Sequence, residues 1–219
     1  MKTIKKIKRE LTFGEEVANA VSHGGAAFLM MVLSPFIAVY IYEKSGGNML
    51  YVSSMIVFCL SIICMLLSSM IYHIMEHKSK HKKVLKILDH IFIYVAIAGS
   101  YTPIALNVIG GRLGITLVII QWLMVIFGIL YKSLVKKSMP KTSMAIYIIM
   151  GWLAVIILPR LYNTSLIMLA LIFLGGLFYT IGAILYTKEF KYAHFVWHMF
   201  VLLGVITHLI TNIFLIEIL

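Results

Sequence analysis

Residues 49–75 read MLYVSSMIVFCLSIICMLLSSMIYHIM, and no Asp, Glu, Lys or Arg interrupts them. A helix crosses the hydrocarbon core of a bilayer in about 20 mostly apolar residues, so this stretch is long enough to span. Residues 76–86 follow as EHKSKHKKVLK, which holds Lys78, Lys80, Lys82, Lys83 and Lys86. A basic loop beside an apolar run marks the cytoplasmic side of a membrane. Six further apolar runs lie at about residues 20–42, 87–109, 113–131, 144–161, 165–186 and 195–216. The expected fold class is all-α, a polytopic seven-transmembrane-helix bundle.

Composition agrees. Of the 219 residues 62% are apolar and only 12% charged, about half the charged share of a soluble domain. That excludes a disordered chain, a disulfide-rich secreted scaffold and an ordinary soluble enzyme. Cys59 and Cys64 fall inside one apolar run at the wrong spacing for a C-x-x-C site and read as small apolar fillers. Residues 1–14 form a basic cytoplasmic N-terminal segment, and 15–219 form one membrane domain. The N-terminal segment is not expected to be a signal peptide, because Glu15 and Glu16 precede a long apolar run that lacks a clear cleavage site.

Charge gives the direction. With the N-terminus inside, the cytoplasmic loops collect Lys2, Lys5, Lys6, Lys8, Arg9, the five lysines of 78–86, Lys132, Lys136, Lys137, Lys141, Lys188 and Lys191. Only Lys44, Arg112 and Arg160 remain outside, three of the 19 basic residues. The C-terminus is then outside. The net charge of +11 needs no nucleic-acid partner; it is the inner-face signal, with anionic lipid heads as its natural neighbours. Short loops imply sequential antiparallel neighbours. Gly24-Gly25 and Gly175-Gly176 permit close helix approach, and Pro35, Pro103 and Pro159 are expected to kink or end their spans.

Ionisable groups at membrane depth are costly, so each is a functional candidate. Glu15, Asn19 and His23 enter the first span, Ser68, Ser69 and His73 end the second, Asp89 and His90 begin the third, and His194 and His198 begin the seventh. The derived topology brings all four sets to one leaflet. His194 and His198, four apart on a helix, share a face, as do Ser69 and His73. Three imidazoles with one open position describe a catalytic zinc site, and Asp89 could hold its water or a ligand. Spacing alone leaves open whether these histidines bind metal or only join neighbouring helices. His77 and His81 read as solvent-exposed loop residues. His90 points about 100° away from Asp89, and His208 lies about 15 Å deeper than His198, where a structural hydrogen bond is expected. Glu15 is a candidate partner for a loop lysine. Glu16, Asn19 and His23 form a stripe whose facing the sequence does not give.

These motifs resemble the haemolysin III family, the bacterial branch of the progestin and adipoQ receptor superfamily. The resembling segments are Glu15 to His23 (E-x-x-N-x-x-(S/T)-H), Ser69 to His73 (S-x-x-x-H), Asp89-His90 with Gly99 to Pro103, and His194 to His198 (H-x-x-x-H). The resemblance covers nearly the whole chain. It implies seven helices with the N-terminus inside, in a bacterial plasma membrane. It also implies Zn2+ held by His73, His194 and His198, with Asp89 contacting the ion through water and Ser69 beside the site. The superfamily is similar to alkaline ceramidases, and its bacterial members are linked to lysis and to membrane-lipid homeostasis.

Three functions follow as expectations. The first is a zinc-dependent hydrolase of lipid amides or esters, with Asp89 as general base, Ser69 as hydrogen-bond donor and a membrane lipid as substrate. The second is a cytolysin, although a chain this apolar has no obvious soluble state. The third is a receptor or regulator of membrane state in which zinc is structural. The sequence names neither the lipid nor the oligomeric state.

Overall fold

Thr12 starts the first helix. Its hydroxyl accepts from the Glu15 amide, and the Glu15 carboxylate accepts in return from the Thr12 amide at 2.9 Å, a reciprocal cap that satisfies otherwise orphaned N–H groups. The computed structural model describes residues 10–77, 79–135 and 140–218. Lys2, Lys5, Lys6, Lys8, Arg9, Lys78, Lys136 and Lys137, all counted in the charge bias, lie outside the described residues. Helix α1 runs Phe13–Lys44, so it begins several residues before its apolar run. Then come α2 (Met49–Ile74), α3 (Lys80–Ile104, extended by a π turn over Ala105–Ile109) and α4 (Gly111–Leu134). They are followed by α5 (Pro140–Trp152), a 3₁₀ turn (Leu153–Ile157), α6 (Leu158–Thr164), α7 (Leu166–Tyr186) and α8 (Ala193–Ile218). No strand occurs among the described residues. Seven helical segments are long and apolar enough to cross a membrane, and α5 with α6 makes the fifth.

The prolines act differently from one another. Pro35 does not end α1. It removes the amide that would bond the Met31 carbonyl, and Ser34 Oγ donates to that carbonyl instead at 3.3 Å, a local repair typical of spanning helices. Pro103 leaves the Gly99 carbonyl without its amide donor, and the helix turns into a π turn two residues later. Pro159 sits in the first turn of α6, directly after the 3₁₀ break, where a missing amide costs little.

Helix α1 packs on α2 and α8, α2 on α3, α3 on α4, and α7 on α8. The expected close approaches are found at one glycine of each pair. A Cβ at Gly24 would lie 2.6 Å from Met70 Sδ, and one at Gly175 would lie 2.7 Å from His208 Nε2. Gly25 and Gly176 meet nothing within 4 Å. The main core joins α1, α2 and α8 around Ala27, Met30, Phe58, Ile62, Leu66, Val201 and Val205. Phe28, Phe36, Leu60, Ile119 and Phe127 point outward, the exposed apolar surface that a bilayer covers. Cys59 is buried and Cys64 is exposed on this surface; neither is in a disulfide. The fifth span touches α3, α4 and α7 more lightly. Between it, α3, α7 and α8 lies a cavity of about 460 Å³ that reaches from His73 and Asp89 down to Ile172 and His208.

Candidate metal centre

Three spans deliver the centre. α2 brings His73 at its last turn, α8 brings His194 and His198 on one face of its first turns, and α3 brings Asp89. His73, His194 and His198 each offer a ligand atom, and these atoms lie within 4.8 Å of one another. His73 Nε2 is 3.1 Å from His194 Nε2. Tetrahedral zinc with bonds of about 2.0–2.1 Å draws its nitrogens to a little over 3 Å apart, so small movements complete the geometry. The fit has a second mark. His198 is fully buried, and its Nε2 has no hydrogen-bond partner among the described residues. An unsatisfied buried nitrogen costs free energy unless something binds it. The donor set, three imidazoles, suits a transition ion such as zinc; no particular ion is identified by it.

The remaining partners surround this triad. Asp89 is 5% exposed, lines the cavity, and lies beside Ser69. Ser69 Oγ is buried and makes no well-formed hydrogen bond among the described residues. Glu16, on α1, reaches His73 Nδ1 with Oε2 at 2.5 Å. Its Oε1 accepts from Lys82 Nζ at 2.7 Å and lies 3.2 Å from His77 Nε2. Lys82 also donates to the Met75 carbonyl at 3.0 Å. Ser22 Oγ lies 3.2 Å from His198 Nδ1, and the His23 ring stacks on the His198 ring at 3.6 Å.

The Glu16–Asn19–His23 stripe therefore faces the centre, and its spacing was the only signal in the sequence for that. The lysine found here, Lys82 in the first turn of α3, pairs with Glu16, while Glu15 caps α1 and accepts from the Tyr192 amide at 2.8 Å. His77 is half-exposed yet contacts Glu16, and His81 is exposed. His90 Nδ1 lies 2.6 Å from the Lys86 carbonyl and 3.6 Å from Asp89 Oδ2. His208 differs from expectation. Its Nδ1 has no hydrogen-bond partner among the described residues, and its ring stacks on Tyr179 at 5.6 Å over the space left by Gly175. Packing against Gly175 and Tyr179 holds the ring.

A family model described as haemolysin-III related matches residues 11–209. A hemolysin-3 homolog of Bacillus subtilis (strain 168) is 38% identical over 195 residues, which is 88% of this chain and 90% of that protein. Hemolysin-3 of Bacillus cereus is 38% identical over 192 residues, 87% of this chain and 86% of that protein.

Proposed function

The chain belongs to the haemolysin-III related family and is a multi-pass protein of the bacterial cell membrane, and from that premise we propose that it is a zinc-dependent hydrolase of lipid amides or esters. The carrying observation is the convergence of His73, His194 and His198 at one end of a cavity of about 460 Å³, with Asp89 on its wall. That volume falls in the usual range of small-molecule sites, about 300–1,000 Å³. Val155, in the fifth span, and Phe173, on α7, line the cavity and are about half exposed, which supports lateral access for a lipid between these two spans.

Zinc held by three histidines supplies a Lewis acid for the carbonyl and makes water acidic near neutral pH. Asp89 accepts a proton from the attacking water as its oxygen bonds to the carbonyl carbon. Ser69 Oγ–H donates to the carbonyl oxygen as charge gathers there. The carbon–nitrogen or carbon–oxygen bond then breaks, and Asp89 returns its proton to the leaving amine or alcohol. The products are a fatty acid and that amine or alcohol, and the apolar cavity keeps the acyl chain out of water. Turnover of this kind contributes to membrane-lipid homeostasis.

The test is release of fatty acid from a panel of lipid amides and esters in bilayers, followed by mass spectrometry, with elemental analysis of the same sample. About one zinc per chain and chelator-sensitive turnover are expected. Metal at full occupancy with no turnover across the panel would move the reading to a receptor or regulator with structural zinc. The name of the Bacillus cereus relative, hemolysin-3, favours a further reading as a membrane-lytic protein. Red-cell lysis that persists in the His194→Ala/His198→Ala variant would establish that activity as independent of the metal.

A further inference from the structure

The stripe on α1 has a use that the ligands themselves do not reveal. His73 Nδ1 faces Glu16 Oε2 at 2.5 Å. An ionised carboxylate only accepts, so the proton of that hydrogen bond sits on Nδ1 and the lone pair of His73 is at Nε2. His198 is settled by a separate chain of donors. Ser22 has one hydroxyl proton, and its Oγ donates to the Asn19 carbonyl at 2.9 Å. Towards His198 Nδ1, 3.2 Å away, Ser22 can then only accept. His198 Nδ1 is therefore the donor, and its unpartnered Nε2 carries the lone pair. His23 stacks flat on the same ring at 3.6 Å, with 6° between planes, and blocks its rotation. Glu16 is itself anchored by Lys82 at 2.7 Å.

We propose that Glu16 and Ser22 of α1 are the positioning residues of the metal centre, each accepting a proton from Nδ1 of one ligand so that His73 and His198 present Nε2 to the ion. This rests on the reading of the triad as a metal site. Helix α1 contributes no ligand, yet it selects the tautomer and ring plane of one ligand from α2 and one from α8. Partners of this type are generally worth 10–100-fold in metal affinity.

Purified full-length protein in detergent, stripped and titrated with Zn2+ against a chromophoric chelator, tests it. Glu16→Gln keeps the volume and removes the charged acceptor; Ser22→Ala removes the other acceptor with little steric change. Glu16→Gln is expected to weaken zinc binding by about 10–100-fold and Ser22→Ala by about 10-fold, with Ser22→Thr restoring it. His81→Ala, on an exposed residue without a role here, stays at the wild-type value. The visible spectrum of the Co2+-loaded protein should shift in Glu16→Gln and Ser22→Ala, while the thermal midpoint of metal-free Ser22→Ala stays put; Glu16→Gln also loses its buried pair with Lys82, so its metal-free midpoint is expected to fall. A merely structural role would move the midpoint and leave affinity and spectrum alone. Wild-type affinity and spectrum in both variants overturn the proposal while the metal site stands. Failure of the wild-type protein to bind Zn2+ or Co2+ overturns the metal site and this proposal together. Should Glu16→Gln not fold, Ser22→Ala decides the matter at the other ligand.

Discussion

Asp89 is a buried carboxylate on the cavity wall, beside Ser69 and 3.6 Å from His90 Nδ1. Asp89→Asn keeps size and hydrogen bonding but removes the basic oxygen. Turnover should fall by about 10²–10⁴, the usual worth of a general base, while metal content measured on the same preparation largely remains. Undiminished release of fatty acid would keep the enzyme and remove Asp89 as its base. The three histidines proposed to hold the metal should behave in the opposite way. His73→Ala, His194→Ala and His198→Ala each remove one of three donors, and elemental analysis should show metal lost from each. Full metal retention in the His194→Ala/His198→Ala variant would end the site. The clustering of His73, His194 and His198 was legible because each histidine in a spanning helix stands out against an apolar background. Glu16 was not, because a carboxylate near the start of a helix also reads as a cap. Its neighbour Glu15 is that cap, and only the rotation of α1 against α2 separates the two roles.

At the scale of the helix, close approach carries the packing that holds these side chains in place. α2 and α3 meet at Gly99, where a Cβ would lie 2.3 Å from Ser61 Oγ and 2.4 Å from Ser61 Cβ. Ser61 is buried and cannot swing away without entering the core. Gly99→Ala should therefore destabilise by about 1–3 kcal/mol through overpacking, seen as a lower thermal midpoint in detergent. At Gly25 a Cβ meets nothing within 4 Å, so Gly25→Ala should be neutral or gain up to about 1 kcal/mol from helix propensity. Equal midpoints for the two variants would contradict the α2–α3 contact. The number and order of the spans were readable from hydropathy, since a bilayer imposes a minimum run on every crossing; their ends were not, since α1 starts at Phe13 and α3 at Lys80, in polar sequence outside the apolar runs. The division of the fifth span was readable only as a proline expectation. Which glycine of each pair lies at a contact was not readable, because Gly24 and Gly25 differ by one step around the helix and nothing local reports which neighbour each faces.

At the scale of the molecule, an ion held by His73, His194 and His198 would tie α2 to α8, the second and last spans, with α1 packed against both. An ion bound only by the folded bundle stabilises it by about 4 kcal/mol at 1,000 times its dissociation constant, so chelation should lower the thermal midpoint and zinc should restore it. Direction is the larger question. Alternation of the spans puts the α2–α3, α4–α5 and α7–α8 connections on one end of the bundle, the end that also holds the centre. Sixteen of the 19 basic residues belong to that end when the N-terminus is counted with it, and basic loops stay in the cytoplasm. In a variant with Cys59 and Cys64 replaced, a single cysteine at exposed His81 should react with a membrane-impermeant maleimide only after cells are opened. One at Gly46, in the α1–α2 turn at the opposite end, should react in intact cells. The reversed pattern would put the centre in the outer leaflet, leave the basic ends facing the cell exterior, and make any lipid substrate one of that leaflet instead.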